Sequence, residues 1–364
     1  MTGGRLRVVR HVTPGWSTRL LIASLALGGC RDPDGRAADS GLTGLDAGGP
    51  VTDAPGLATN VPGRHDLEFE LEGHVRHALV YVPESAGDVA APVVVMLHGT
   101  SQDGEMFFAD GHWIPEADAN GIIIVYPDSL SYCFHRDENG DGDFADPGEL
   151  RVNSKWNSGI LGGADHPLCT ATEIAALAPG TRALVDHPLR DDVAFLDRLL
   201  ERLERTFVVD SRRVYATGFS NGGEMASRLA VERSTRYAAV AAHAGFLEIA
   251  PRASERPISM ALSIGSADDN FVPGPESIPL DETALSSPYF VDLQADYLAI
   301  AQLEPTYTHE TAIVGPRTLS RFVWATSTVG ADNRVELAVI EGVTHTYPPM
   351  EAQLWAFFSG YSLP

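Results

Sequence analysis

A serine stands between a predicted strand and a predicted helix in the segment Thr217–Met225, which reads TGFSNGGEM. The run before it is short and apolar, as in a buried strand, and apolar residues recur at helical spacing after it. Gly218 and Gly222 flank Ser220 in the pattern G-x-S-x-G, a sharp turn that raises a serine hydroxyl above the end of a sheet. A glycine-rich turn with a surface serine is the alternative, but the flanking strand and helix favour a nucleophile. A nucleophile needs a base, an orienting acid and donors for an oxyanion.

The acid and the base are expected after two later strands, in the chain order serine, acid, histidine. The acidic pair Asp268 and Asp269 follows the apolar run 258–264, and His345 follows the last predicted strand and precedes a helical pattern. We predict that Asp268 orients His345, with Asp269 as the alternative acid. His243 is excluded as the base because it precedes the acidic pair.

Two backbone N–H groups are candidates for an oxyanion hole. Asn221 directly follows the serine, and Thr100 lies in the loop after the apolar run 92–97. This type of turn draws its donors from these two positions. With these parts we predict acyl transfer, in which His345 takes the proton of Ser220 and water later releases the acyl group.

Buried apolar runs alternate with helical patterns along most of the chain. The unbroken runs 92–97, 121–126, 238–242 and 258–264 suit strands that are covered on both faces. This alternation predicts an α/β fold with a mostly parallel central sheet and helices on both faces. A polar, glycine-rich stretch, 127–187, interrupts the alternation and is expected to form an insertion over the sheet.

The first thirty residues read as a targeting segment. Arginines precede the apolar run Leu20–Leu27, which is too short to span a membrane and is followed by Gly-Gly-Cys30. This ending resembles the bacterial lipoprotein box and predicts a lipid anchor on Cys30, with an ordinary secretory signal as the alternative. Both readings predict a protein outside the cytoplasm. Arg31 follows this cysteine in place of an aspartate, so the resemblance to lipoproteins implies transport to the outer membrane more than retention at the inner membrane.

The rest of the chain divides into a linker and one domain. Residues 31–64 are rich in Gly, Asp, Ala, Pro and Thr, so we predict a disordered linker, followed by a catalytic domain over 65–364. With Cys30 assigned to the lipid, Cys133 and Cys169 form an even pair in an oxidising compartment. We predict a disulfide between them, with two separate buried thiols as the alternative.

Acidic residues dominate the charge of the chain. The net charge of −23 disfavours binding to nucleic acid. The acidic stretch from Asp137 matches the first half of a calcium-binding loop, with Asp137, Asn139 and Asp141 as candidate ligands. The second half does not match, because Gly148 stands where a bidentate glutamate is expected. A structural calcium ion is therefore weighed against a solvated acidic turn, and no required cofactor is expected.

Seven short motifs in a fixed order resemble one family. Together they are similar to the secreted polyhydroxybutyrate depolymerase and feruloyl esterase group of the α/β-hydrolases, whose bacterial members include lipoprotein esterases. The resemblance covers nearly all of the chain after the linker. The motifs are LHGTSQDG (97–104), YPDS (126–129), WNSG (156–159), DDVAFL (191–196), GFSNGGEMA (218–226), GSADD (265–269) and THTYP (344–348).

The resemblance implies a serine carboxylesterase. Its substrates would be short hydroxyacid polyesters, feruloyl or acetyl groups of plant polysaccharide, or small soluble esters. The sequence departs from the family at Thr100, where cysteine is frequent, and at Tyr347, where tryptophan is frequent. The resemblance also places Trp156 and Asn157 near the acyl site, with a tryptophan of the core as the alternative for Trp156. Two other functions stay open, a surface-binding lipoprotein that has lost activity and a serine peptidase with the same triad.

Overall fold

The computed structural model describes residues 58–364 except 138–140, 145, 147, 186–187 and 273–275. The predicted signal segment with Cys30, and most of the predicted linker, lie outside the described residues. The described residues begin at residue 58, before the predicted start of the domain at residue 65. The buried side chain of Asn60 donates to the carbonyl of Val89 and accepts from the N–H of Val208.

Strands and helices alternate along the described residues, as the apolar runs predict. The strands are β1 Gly63–Leu71, β2 His74–Val82, β3 Ala91–Leu97, β4 Ile123–Pro127, β5 Ser131–His135, β6 Leu150–Ser154, β7 Val209–Phe219, β8 Ala239–His243, β9 Ser259–Gly265, β10 Tyr307–Val314, β11 Arg317–Trp324 and β12 Val335–Ile340. The α-helices are α1 Gly104–Ala109, α2 Ile114–Asn120, α3 Ala171–Ala176, α4 Pro179–Val185, α5 Asp192–Thr206, α6 Asn221–Glu232, α7 Pro288–Ala301 and α8 Glu351–Phe358.

A ten-stranded sheet organises the described part of the chain, in the order β1-β2-β4-β3-β7-β8-β9-β12-β11-β10. The neighbouring strands from β4 to β12 in this order are all parallel. Antiparallel strands complete the sheet at both edges. Because parallel strands point the same way, the loops after β3, β7, β9 and β12 meet at one end of the sheet, where open α/β sheets hold their sites.

Helices cover both faces of this sheet. Helices α5, α6 and α7 bury Leu199, Met225 and Phe290 in one core, and α2 and α8 bury Ala117 and Leu354 in the other. Strands covered on both faces must be apolar throughout, which explains the unbroken apolar runs in the sequence. The predicted α/β architecture with helices on both faces is confirmed.

The insertion contains a small two-stranded sheet of its own, in which β5 pairs antiparallel with β6. Cys133 in β5 forms a disulfide with Cys169, with the two Cα atoms 5.3 Å apart. Thr170 then caps α3 by accepting from the N–H of Glu173, and the Glu173 carboxylate accepts from the N–H of Thr170. The predicted disulfide is confirmed, and it ties the hairpin to the helical end of the insertion.

Candidate active site

Ser220 sits in the sharp turn between β7 and α6. Its backbone angles, φ 52° and ψ −122°, are ones that non-glycine residues rarely adopt. A Cβ atom on Gly218 would collide with the carbonyl of Gly222, and one on Gly222 would collide with the carbonyl of Leu97. Glycine at both positions therefore lets β3, β7 and α6 meet around the serine, and the predicted strand–turn–helix arrangement is present.

The three side chains predicted to act together do meet at this end of the sheet. The Nε2 atom of His345 is 2.9 Å from the hydroxyl oxygen of Ser220. Its Nδ1 atom is 3.0 Å from each carboxylate oxygen of Asp268. Asp268 is fully buried, whereas the His345 side chain is 17% exposed. The arrangement can carry a proton from the serine to the histidine while the carboxylate holds the imidazole in one tautomer.

The neighbouring carboxylate, Asp269, is turned away from the imidazole ring. It is exposed, and one of its oxygens accepts from the backbone N–H of His345 at 3.4 Å. Asp268 additionally accepts from the N–H of Asn270 at 3.1 Å, which fixes its carboxylate. Of the two acids that the sequence left open, the geometry favours Asp268 as the partner of the histidine.

His243 is a second buried histidine, and it joins the serine turn to the histidine loop. Its carbonyl accepts from the backbone N–H of Ser220 at 2.8 Å. Its Nε2 atom is 3.0 Å from the carbonyl of Thr346, and its Nδ1 atom is 2.8 Å from the hydroxyl of Ser263. Burial lowers the pKa of His243 to about 4, so the ring is neutral at pH 7. Chain order excluded it as the base and gave no sign of this linking role.

The two candidate oxyanion donors lie at the same end of the sheet as the serine, after β3 and after β7. Asn221 is the first residue of α6, where a backbone N–H has no carbonyl of its own helix to bind. Thr100 lies in the loop after β3, and its neighbour Ser101 donates its N–H to the carbonyl of Ser154 at 2.9 Å. The helix N-terminus adds a partial positive charge that favours a developing anion.

His98 fixes the peptide group that carries the N–H of Thr100. Its Nε2 atom accepts from the N–H of Ser129 at 3.1 Å, so the proton is on Nδ1, which donates to the carbonyl of Gly99 at 2.7 Å. Burial lowers the pKa of His98, which keeps the ring neutral. The Gly99 carbonyl and the Thr100 N–H belong to one planar unit and point in opposite directions. The sequence signal for this role was the His-Gly pair directly before Thr100.

The side chain of Asn221 is a structural anchor. It is buried, accepts from the backbone N–H of Trp156 at 2.6 Å and donates to the carboxylate of Glu224 at 2.8 Å. The fully buried Trp156 ring donates to the carbonyl of His98 at 2.9 Å. Trp156 therefore lies in the core and connects the two backbone segments that carry the candidate oxyanion donors.

A buried ion pair holds the backbone next to Trp156 in place. Asp192 contacts Arg76 at 2.8 Å and accepts from the backbone N–H of Asn157 at 2.7 Å. Both charged side chains are at most 2% exposed, and the Arg76 guanidinium lies 3.7 Å from the centre of the Phe195 ring. The pair thus fixes the chain directly after Trp156.

The predicted calcium loop is only partly described. Asn139 lies outside the described residues, while Asp137 accepts from the N–H of Gly142 and Asp141 from the N–H of Asp143. These bonds are those of a tight acidic turn. Calcium binding here stays a prediction.

The described residues contain one other group of metal-type ligands, His135, Cys169 and Glu173. Cys169 is bonded in the disulfide, so it offers no thiolate to a metal. His135 and Glu173 contact each other at 3.1 Å. This group is therefore a contact within the insertion. Separately, the described residues include no helix that is long and apolar enough to cross a membrane.

Comparison with known proteins gives partial matches. The sequence profile of the prolyl oligopeptidase family, Peptidase_S9, matches residues 180–261. This segment contains Ser220 and its turn but ends before Asp268 and His345.

Two relatives are esterases by name. Feruloyl esterase C of Emericella nidulans is 34% identical over 97 residues, which are 27% of this chain and 36% of the relative. A bifunctional acetylxylan esterase/xylanase of Neocallimastix patriciarum is 22% identical over 198 residues, which are 54% of this chain and 22% of the relative. The chain thus spans little more than a third of one relative and about a fifth of the other.

Among solved structures, the acetyl xylan esterase from Aspergillus awamori aligns with a TM-score of 0.45 and 12% identity, over 78% of this chain and 94% of that one. Independently of this alignment, the sheet order and the serine turn after β7 are those of the α/β-hydrolase fold. The sequence matches also confirm the resemblance to the feruloyl esterase group. The chain therefore has the α/β-hydrolase fold and is similar in sequence to feruloyl and acetylxylan esterases.

Proposed function

We propose that the chain is a serine carboxylic-ester hydrolase, with Ser220 as nucleophile, His345 as general base and Asp268 as the orienting acid. The observation that carries this proposal is the continuous line of contacts from the Ser220 hydroxyl through both nitrogens of His345 to the buried carboxylate. A nucleophile, a base and a third group that orients the base are the parts that covalent acyl transfer requires.

The reaction follows from the positions of these groups. His345 Nε2 accepts the proton of Ser220 as the serine oxygen attacks the ester carbonyl carbon. The carbonyl oxygen becomes an oxyanion and accepts from the N–H groups of Thr100 and Asn221. The histidine then protonates the leaving alcohol, and the acyl group stays on Ser220. Water, deprotonated by His345, attacks the acyl group and releases the acid, which restores the serine.

The substrates that the relatives support are feruloyl and acetyl esters of polysaccharides, since both named relatives carry these activities in their names. Hydroxybutyrate oligoesters are a further proposed class, on the resemblance of the motifs. A serine peptidase is the second candidate function, because the prolyl oligopeptidase profile matches the nucleophile segment. A surface-binding lipoprotein without activity is the third.

A substrate panel tests these alternatives. We expect hydrolysis of at least one among methyl ferulate, acetylated xylan and hydroxybutyrate trimer, and loss of that activity in Ser220→Ala. Cleavage of peptide 4-nitroanilides with no ester hydrolysis would favour the peptidase. Equal rates in the wild type and Ser220→Ala on every substrate would contradict the proposal and leave the binding protein.

We also propose that the protein is located outside the cytoplasm, where a lipid on Cys30 anchors it to the outer membrane. In a bacterial host, the mature protein is expected in the membrane fraction with a lipid-modified N-terminal peptide, read by mass spectrometry. Cys30→Ser should move it to the soluble fraction or leave it unprocessed. A mature N-terminus without lipid in the wild type would contradict the anchor and favour an ordinary secretory signal.

A further inference from the structure

Lys155 is the only lysine in the chain, which otherwise uses arginine for its positive charges. It directly follows β6 and is only 6% exposed. Lysine is among the residues least often buried, because removing an ammonium group from water is costly unless the charge is paired. A single buried lysine in a chain with net charge −23 is therefore expected to bind an acceptor group that pairs with its charge.

The neighbours of Lys155 place it beside the candidate oxyanion hole. On one side, the hydroxyl of Ser154 donates to the carbonyl of Gln102 at 2.7 Å, and Ser154 also accepts from the loop that carries Thr100. On the other side, the N–H of Trp156 donates to the side chain of Asn221 at 2.6 Å. Lys155 thus lies between the two segments whose N–H groups face the developing oxyanion in the proposed reaction.

The ammonium group itself is poorly satisfied. Its one hydrogen bond is to the hydroxyl of Thr100 at 3.5 Å, at the long limit for such a bond, and its other close contact is the Phe134 ring, 5.8 Å from the ring centre. Within the described residues no carboxylate forms an ion pair with Lys155. An ammonium group has three N–H donors, so most of its hydrogen-bonding capacity is open to a ligand.

His166 lies near this ammonium group. His166 packs edge-on against Phe134, and its pKa is lowered to about 4, mainly by burial and further by the positive charges of Lys155 and Arg136. The imidazole is therefore neutral at pH 7, and its Nδ1 atom is buried without a hydrogen-bond partner.

We propose that Lys155 binds a free carboxylate of the ester substrate, so that the enzyme prefers esters that carry a second, ionised acid group. Substrates of this class are half-esters of dicarboxylic acids and O-acylated hydroxy acids. The inference rests on the proposed esterase function and adds the substrate class to it. A carboxylate would supply the charged acceptor that the buried ammonium group lacks, and such charge-assisted hydrogen bonds are among the strongest in proteins.

Two matched pairs of esters test this. The first pair is mono-4-nitrophenyl glutarate, which has a free carboxylate in its acyl part, and its neutral methyl ester. The second pair is 3-acetoxybutanoate, which has a free carboxylate in its alcohol part, and its neutral methyl ester. For at least one pair, the wild type should favour the carboxylate by about tenfold or more in kcat/KM. Lys155→Met should lower that ratio about tenfold, and Lys155→Arg should retain part of it.

Arg252→Met is the matched control, because it removes one positive charge from a side chain that is 64% exposed. Its ratio for both pairs should equal that of the wild type. The thermal midpoint of Lys155→Met should equal or exceed that of the wild type, since an unpaired buried charge has been removed. Such a variant is folded, and its altered ratio reports on binding.

The inference is overturned if, for both pairs, the preference for the carboxylate ester in kcat/KM is the same in the wild type and in Lys155→Met. This includes the result in which Lys155→Met lowers the activity on both esters of a pair by the same factor. An equal loss on both esters would indicate that Lys155 stabilises the oxyanion instead of binding a substrate carboxylate. The proposed esterase function is tested separately by Ser220→Ala on the neutral members. If Ser220→Ala is inactive and the preference for carboxylate esters does not change in Lys155→Met, the proposed function stands and only the inference fails.

Discussion

Asp268 and Asp269 are adjacent carboxylates that contact different atoms of His345. The buried Asp268 faces the ring nitrogen, whereas the exposed Asp269 contacts the backbone N–H. We predict that Asp268→Asn lowers kcat about a thousandfold or more, because an amide favours the wrong tautomer of the histidine. Asp269→Asn should lower kcat less than about tenfold. The measurement is kcat for one ester at pH 8, and a larger loss in Asp269→Asn would assign the role to Asp269.

His243 connects the serine turn to the histidine loop through contacts of its ring nitrogens with a hydroxyl and a carbonyl, and burial keeps its ring neutral at pH 7. Its folded pKa of about 4 lies below the ordinary value of about 6.5, so the unfolded chain binds the proton first as pH falls. The stability that this neutral ring contributes is thus full above pH 6.5 and is lost as pH falls from 6.5 towards 4.

His243→Phe is predicted to remove this dependence. Between pH 7 and pH 5 the wild type should lose roughly 2 kcal/mol more of its free energy of unfolding than the variant does. The titratable groups around the ring, Asp268 and His345, are present in both proteins, as are the buried His98 and His166. Urea unfolding at the two pH values measures the difference. Parallel losses in the two proteins would contradict the prediction.

At the scale of elements, the pair Arg76–Asp192 joins β2 to the start of α5 in the core. Asp192→Ala would leave the Arg76 guanidinium buried and unpaired, so we predict a loss of about 3–5 kcal/mol in the free energy of unfolding. Urea unfolding measures this loss. Replacing both partners, Arg76→Met with Asp192→Leu, should cost less than Asp192→Ala alone.

The exposed pair Arg198–Glu201 on α5 is the control for that measurement. Glu201→Gln should leave stability unchanged, because exposed pairs contribute little. If Asp192→Ala were as stable as the wild type, the buried pair would not anchor β2 and α5 as described.

The acidic turn of the insertion gives a prediction about metal removal. If calcium binds at Asp137, Asn139 and Asp141, excess calcium should raise the thermal midpoint of the wild type above its value in excess chelator. Asp141→Asn should remove most of that difference, while Asp110→Asn, on an exposed aspartate outside the insertion, should not. Equal midpoints with calcium and with chelator would contradict the calcium site.

Strands that are buried on both faces could be predicted from the sequence, whereas one strand at the sheet edge and the hairpin of the insertion could not. The strands β3, β4, β8 and β9 lie on the predicted apolar runs 92–97, 121–126, 238–242 and 258–264. The strand β10 was not predicted, because most of its residues are partly or fully exposed at the sheet edge and show no alternation. The hairpin of β5 and β6 was missed too, since the polar composition of the insertion hides a fold held by its disulfide.

The site shows the same division. Ser220, Asp268 and His345 could be found because each follows a strand and their chain order is fixed by the parallel sheet. The roles of His98 and His243 depend on hydrogen bonds between segments far apart in sequence, which no local pattern records. Lys155 carried a signal, as the only lysine of the chain. Its meaning required its burial and the absence of an acidic partner among the described residues.

At the scale of the whole molecule, a single sheet brings three side chains from distant parts of the chain to one end, and the account depends on Ser220 forming a covalent acyl intermediate there. Rapid mixing with 4-nitrophenyl acetate, followed by acid quench and peptide mass spectrometry, tests this most directly. We predict a burst of about one nitrophenol per chain and an acetyl group on the peptide that contains Ser220. An acetyl group on another residue, or hydrolysis with no acyl-enzyme and no loss in Ser220→Ala, would contradict the account.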